Sequence, residues 1–91
     1  MKFNDIKIGE LYDLERIDDK NVIKYILTVM IKDKYSYPNS VEFKILDVND
    51  TTNNGFIKNS KGSNCIFKMS EISNYQVKYI GDKTTNPEYF L

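Results

Sequence analysis

The stretch VIKYILTVMIK, residues 22–32, decides the fold class because its apolar side chains recur at every second position. The apolar side of this alternation consists of Ile23, Tyr25, Leu27, Val29 and Ile31, and the polar side includes Lys24, Thr28 and Lys32. A period of two is typical of a β-strand with one buried face, whereas an amphipathic helix repeats its apolar residues every three to four positions. β-Branched and aromatic residues also favour strands. The run therefore predicts a half-buried strand.

Two further strands flank this one in the sequence. Leu11–Ile17 precedes it, and the turn-forming residues 18–21 lie between the two runs, so together they predict a hairpin. Gly9 is expected to bend the chain into the first strand. Residues 41–49 predict the next strand, and their apolar alternation shifts at Leu46, as a β-bulge would make it do.

The second half of the chain begins with turn signals. Residues 50–55 are turn formers, and Lys61-Gly62 repeats the signal between the apolar pair Phe56-Ile57 and the apolar residues 65–67. We therefore expect a second hairpin in this part of the chain.

A short turn and a last strand follow. Residues 70–74 are too few for a full helix and predict a single 3₁₀ turn. Tyr75, Val77 and Tyr79 then alternate with polar residues, which predicts a final strand that ends at Gly81.

The length of the chain favours a single folding unit. Its 91 residues have room for one hydrophobic core, and no repeat or linker divides them. We expect one domain over residues 1–81 and a tail over residues 82–91. The tail ends with Tyr89-Phe90-Leu91, and it either packs back on the domain or is a mobile end. The sequence leaves this choice open.

The order of these elements resembles that of the small SH3-like β-barrels, in which a 3₁₀ turn separates the fourth and fifth strands. Residues 65–69, 70–74 and 75–80 carry the resemblance, together with the opening run of residues 6–12. It implies a mainly β fold, a small barrel of five to six strands with a short 3₁₀ turn before the last strand. An OB-type barrel is the alternative, but it usually has a helix between its third and fourth strands, and residues 50–63 predict none.

The composition of the chain argues against several classes of function. Thirteen Lys and Arg residues balance thirteen Asp and Glu residues, so net charge argues neither for nucleic-acid binding nor for mimicry of DNA. The sequence has no signal-peptide pattern and no apolar run of roughly 18 residues, which predicts a cytoplasmic protein without a membrane segment. Peptide-binding SH3 domains usually place a tryptophan beside their groove, and this chain has none.

The residues needed for common catalytic and metal sites are also missing. The chain has no histidine, so it lacks the usual base of nucleophilic catalysis and the usual ligand of zinc. Its one cysteine, Cys65, alternates with Phe67 and Met69 and is expected to be a small core residue. We therefore predict a protein that is not an enzyme, with no catalytic residue, no metal and no cofactor.

The candidate binding residues fall into two groups. Lys34, Tyr35 and Tyr37 lie where the long second strand gives way to a loop, and exposed tyrosines there would anchor a protein interface or stack on bases. The alternative is that these rings merely cover the end of the barrel. The second group consists of lysines at polar positions of four predicted strands, namely Lys24, Lys44, Lys68 and Lys78. Such a face would follow a phosphate backbone, or it would only keep the sheet soluble.

These observations favour a non-enzymatic protein-interaction domain. The small size and the lysine-rich residue usage favour one specific form, a phage- or mobile-element-encoded inhibitor that binds and blocks a host defence or nucleic-acid-processing protein. The alternatives are a nucleic-acid-binding small barrel and an oligomer that sequesters a small nucleotide. An unpaired edge strand would also give a route to a homodimer.

Overall fold

The computed structural model describes residues 2–51 and 55–90, and these residues form a mainly β structure with five antiparallel strands in one sheet. The strands are β1 (Leu11–Ile17), β2 (Ile23–Tyr35), β3 (Ser40–Asp50), β4 (Asn64–Lys68) and β5 (Tyr75–Gly81). Two short helices are α1 (Gly55–Lys58) and α2 (Met69–Ile72), and 3₁₀ turns cover Phe3–Asp5 and Pro87–Phe90. The strand order is β4-β3-β2-β1-β5, so β4 and β5 are the edges of an open sheet. The mainly β prediction is confirmed.

The predicted hairpin of β1 and β2 is confirmed. The two strands pair antiparallel, with Leu14 opposite Leu27. In the turn, the carboxylate of Asp18 accepts hydrogen bonds from the backbone N–H of Lys20 at 2.8 Å and of Val22 at 3.0 Å. These backbone donors favour the ionised form and lower the pKa of Asp18. The turn is therefore closed by its own carboxylate.

The long pairing of β2 with β3 contains the expected bulge. Thr28 lies opposite Asp47 and Val29 opposite Ile45, so Leu46 is the extra residue, where the sequence pattern shifts. A second irregularity separates Ile31 from Asp33. Bulges bend a strand and increase its twist, which favours a sheet that coils rather than lies flat.

The structure corrects the prediction for residues 56–67. Phe56-Ile57 lies in α1 rather than in a strand, so a short helix is present between β3 and β4, where the sequence predicted none. β4 pairs with residues 40–44 of β3. The connection between β3 and β4 is anchored by the N–H of Gly62, which donates to the carbonyl of Ile45 at 2.7 Å. Two apolar residues between turn formers suit a helical turn as well as a strand, and long-range pairing decides between them. Of the turn predicted over residues 50–55, residues 52–54 lie outside the described residues.

The turn before the last strand is present, but the prediction of its type is wrong. The N–H of Ser73 donates to the carbonyl of Met69 at 3.0 Å, which makes this a single α-helical turn rather than a 3₁₀ turn. The carboxylate of Glu71 accepts the N–H of Lys68 at 3.1 Å, and Ile72 is buried in the core. Burial of Ile72 selects the wider α-turn, a tertiary effect that local sequence does not show.

The sheet is strongly coiled around the core. Phe67 on β4 and Tyr75 on β5 lie at opposite edges, which in a flat sheet would be roughly 19 Å apart, at about 4.8 Å per strand. Their ring centroids are 6.0 Å apart. The core inside this coil consists of Ile6, Tyr12, Leu14, Leu27, Val29, Ile31, Val41, Phe43, Ile45 and Ile72. The packing of edge side chains across the coil therefore closes the core even though the sheet is open.

The C-terminal tail packs back on the molecule. Asn86 donates from Nδ2 to the carbonyl of Ile80 at 2.8 Å. Tyr89 is half-buried, and its pKa is raised first by burial and then by the carboxylate of Asp47 on β3. Of the two alternatives for the tail, the structure therefore has the packed one, although Leu91 lies outside the described residues.

Replacement of Phe43 by alanine is expected to destabilise the fold by about 3–5 kcal/mol, because it leaves a cavity in the core. Phe43 is 1% exposed and packs edge-to-face on Phe67, with centroids 4.9 Å apart. Urea denaturation measures the free energy of unfolding. Val22→Ala is the control, since Val22 is 56% exposed and its loss should change stability by about 0.5 kcal/mol or less. Equal losses for the two variants would contradict the position of the core.

Candidate functional site

The turn that joins β2 to β3 projects from the sheet, and we call residues 35–39 the tip surface. All five residues are exposed. Tyr37 is 99% exposed, and its φ of +61° lies in the left-handed region that non-glycine residues rarely adopt. The bond between Tyr37 and Pro38 is a cis peptide. The tip surface thus presents a whole aromatic side chain to solvent from an uncommon backbone conformation.

Contacts on both sides hold the backbone of the tip surface in place. Ser40 is buried, and its Oγ donates to the carbonyl of Pro38 at 2.7 Å. The N–H of Met69, the first residue of α2, donates to the carbonyl of Asn39 at 3.0 Å. The sequence placed Tyr37 in a loop but did not show this second anchor, because Asn39 and Met69 are far apart in the chain.

Tyr35 lies against the outer face of the sheet. Its side chain is 42% exposed, and its hydroxyl donates to Oε1 of Glu42 at 2.7 Å. The bond to this carboxylate, with some burial, raises the pKa of Tyr35 to about 12. Tyr35 therefore remains a neutral donor at physiological pH, with its ring held beside β3.

Lys34 turns to the opposite side of β2 and has an intramolecular role. Its Nζ donates to the carbonyl of Ile6 at 2.7 Å and lies 4.4 Å from the centroid of the Phe3 ring. The side chain is half-buried. The ammonium thus holds the N-terminal segment over the core, and it is not part of the surface that Tyr35 and Tyr37 form. Its part in binding stays a prediction.

The structure does not bring the four candidate lysines together. Lys24 lies on β2, Lys44 on β3, Lys68 on β4 and Lys78 on β5. Lys44 and Lys78 are three strands apart, which is roughly 14 Å along the sheet.

Acidic residues separate these lysines. Lys78 pairs with Asp13, and the same row continues through Thr28 to Asp47. The carboxylate of Asp47 lies 3.7 Å from the ammonium of Lys61. Asp13 and Asp47 therefore lie among the lysines of this face, and the four candidate lysines do not form a continuous basic strip. Nucleic-acid binding by them stays a prediction.

An open groove of about 470 Å³ lies between the segment before β1 and the segment after β5, where the sequence predicted no site. It is lined by Lys7, Ile8, Gly9, Glu10, Asp82, Lys83 and Thr84. Ile8 is 61% exposed there. The pairing of β1 with β5 brings the two ends of the chain together, so no local pattern could show this groove.

Two features bear on ligand binding, namely the hydrogen bonds within the groove and the size of the cavity in the core. In the groove, the carboxylate of Glu10 is engaged, since it accepts bonds from the N–H of Lys7 and the hydroxyl of Tyr12, both at 3.0 Å. The cavity inside the core measures about 10 Å³, which is too little for a small-molecule ligand. Among residues 2–51 and 55–90, acidic and cysteine side chains do not gather in threes where a metal ion could bind.

Comparison of the chain with models of known families, with curated proteins and with solved structures found no match. Within the described ranges, no helix has the length and apolar character needed to cross a membrane.

Lys34→Ala is expected to lower the free energy of unfolding by about 1–2 kcal/mol, because it removes a charged hydrogen bond and a cation–π contact. Lys32→Ala is the matched control, since Lys32 is exposed two residues earlier on the same strand, and its effect should be about 0.5 kcal/mol or less. Denaturant titration of the two variants measures the difference. Indistinguishable stabilities would show that Lys34 does not hold the N-terminal segment.

Deprotonation of Tyr35 is expected to lower stability at high pH. Because its folded pKa of about 12 is above the ordinary value of 10.0, its contribution is complete below pH 10 and is lost as the pH rises towards 12. Tyr35→Phe should therefore remove one late-titrating group from the tyrosinate absorbance curve. Glu42→Gln should shift that group to lower pH, because the charged acceptor is gone. A curve unchanged in both variants would contradict the bond between Tyr35 and Glu42.

Proposed function

We propose that this chain is a non-enzymatic protein-interaction domain that contacts a protein partner through the tip surface. The observation that carries the proposal is the 99% exposure of Tyr37. A tyrosine ring is a large apolar surface with a polar end, and such side chains supply much of the binding energy at protein interfaces. Within its own chain the ring of Tyr37 buries almost no surface, so this binding energy is left for a partner.

The backbone of the tip surface supports the same proposal. A non-glycine residue with a φ of +61° carries a conformational cost, and such costs concentrate at functional sites. The hydrogen bonds from Ser40 and Met69 fix the turn on both sides. An anchor presented from a fixed turn loses little conformational entropy on binding, which favours affinity.

The partner we propose is a protein rather than a nucleic acid. Tyr35 beside Tyr37 adds a second aromatic ring, but the neighbouring side chains are Glu42 and Asp33, which repel phosphate. Lys34, the nearest lysine in the chain, has its ammonium on the carbonyl of Ile6. This local charge favours a partner with polar or basic groups around an apolar contact.

A specific form of this proposal is an inhibitor, encoded by a phage or mobile element, that blocks a host defence or nucleic-acid-processing protein. Its support is the short length, the lysine-rich composition and the absence of histidine from a chain that still folds into a defined surface. Loss of the target's activity on addition of the protein tests it, and full activity with the protein bound would overturn the inhibitor form alone.

We also propose that the fold is a small SH3-like barrel. The support is the neighbouring position of β1 and β5, the helical turn before the last strand, and the contact of Phe67 with Tyr75 across the two edges. NMR contacts between the side chains of Phe67 and Tyr75 test this closure, which leaves the outer backbone edge of β4 unpaired. Their absence would leave an open, coiled sheet.

Tyr37→Ala is expected to weaken binding by tenfold or more, in the range of an interface hot spot, without lowering the melting temperature. The protein, tagged, is passed through a nuclease-treated bacterial lysate, the retained protein is identified, and its affinity is measured for each variant. Val22→Ala is the control, because Val22 is 56% exposed beside the β1–β2 turn, at the opposite end of β2 from the tip surface. It should bind as the original protein does.

Two results would overturn the proposed function. The first is equal affinity of Tyr37→Ala and the original protein for the retained partner. The second is retention that vanishes with nuclease and is weakened by replacing Lys24, Lys44, Lys68 and Lys78 with glutamine, which would instead support the nucleic-acid alternative.

A further inference from the structure

The outer edge of β4 is an unpaired strand with an apolar residue at its centre. β4 contains five residues, Asn64 to Lys68, and pairs with β3 on one side only. Its central residue, Ile66, is 60% exposed. Edge strands usually carry charges or other protection against pairing with another chain, and the central position of β4 has none.

The hydrogen bonds around β3 show which backbone groups of β4 face outward. Ile45 uses its N–H to reach the carbonyl of Ser63 at 2.9 Å, and its own carbonyl accepts from Gly62, so its backbone groups point towards the β4 side. In an antiparallel ladder these groups alternate in direction along a strand. Val41 and Phe43 therefore point the same way and bond to their partners Phe67 and Cys65.

It follows that Asn64, Ile66 and Lys68 direct their backbone groups away from the sheet. The N–H of Lys68 is consistent with this, since it bonds to the side chain of Glu71 rather than to β3. Within the described part of the chain, the N–H and carbonyl of Ile66 have no hydrogen-bond partner. The other edge strand, β5, differs because Lys78 lies near its centre.

We propose that β4 pairs antiparallel with β4 of a second copy of this chain, around a two-fold axis at Ile66. The inference is independent of the tip surface. A five-residue strand centred on Ile66 is symmetric about that residue, so Ile66 lies opposite Ile66 of the second copy, and Asn64 lies opposite its Lys68.

This register is complementary to itself. The two Ile66 residues exchange two backbone hydrogen bonds, and their exposed side chains become cross-strand neighbours. At each end the N–H of Asn64 donates to the carbonyl of Lys68 across the axis, and the N–H of Lys68 exchanges the carboxylate of Glu71 for the carbonyl of Asn64. The two Lys68 ammonium groups lie at opposite ends of the interface, so no like charges are opposed. The result is one continuous sheet through both copies.

The interface is small, so the dimer is expected to be reversible and to depend on concentration. Sedimentation equilibrium over a concentration series should show an apparent mass that rises from 10.7 kDa towards twice that value. Ile66→Lys should remain monomeric throughout, because it places two like charges opposite each other at the axis. Val22→Lys, the control, removes an apolar residue that is 56% exposed outside β4 and should dimerise as the original protein does.

A mixture of two variants tests the register itself. Ile66→Glu alone should also be monomeric, whereas an equimolar mixture of I66K and I66E should regain the dimer, since opposite charges then meet at the axis. Circular dichroism checks that both variants are folded. A monomer at every concentration of the original protein would overturn the proposal, and so would a dimer that I66K leaves intact or a mixture that fails to restore it. None of the variants in this test changes Tyr37, so its result does not depend on the role of the tip surface.

Discussion

Pairing of β2 on both of its sides sets the position of every other element. This strand runs for 13 residues and is hydrogen-bonded to β1 along one edge and to β3 along the other. Its two irregularities with β3, at Leu46 and next to Lys32, bend the sheet at two points. The bend brings the outer strands towards each other until Phe67 meets Tyr75. The enclosed core is a consequence of that coil.

The sequence predicts the elements that depend on local pattern and misses those that depend on distant partners. The apolar alternation over residues 22–32 is sufficient to predict strand β2, because each side chain of a paired strand faces either the core or solvent. The shift at Leu46 is likewise a local mark of a bulge. Phe56-Ile57 has no such period, since two apolar residues fit a strand and a helical turn equally well. The groove beside Ile8 joins residues 7–10 with residues 82–84, and no local signal connects segments so far apart.

The candidate site shows the same division. Exposure of the two tyrosines follows from their place at the end of a long hairpin. The role of Lys34 does not, because the sequence shows neither the carbonyl of Ile6 nor the ring of Phe3 that its ammonium meets. The sequence pattern predicts that these lysines lie at polar strand positions, but the distances between them across the sheet depend on the order of the strands. Order is set by the whole fold, which places Asp13 beside Lys78 and Asp47 in the same row.

Residues at the end of β2 and in the turn after it contribute unequally to the fold. Lys34 faces the core side and ties down the N-terminal segment, while Tyr37, three residues later, touches almost nothing within its own chain. Substitutions at these two positions therefore have different consequences for stability, since Lys34 makes contacts within the fold and Tyr37 makes few. A substitution at position 37 is expected to carry little penalty in protein abundance. A hairpin of this kind can change its tip over generations while the fold beneath it is kept.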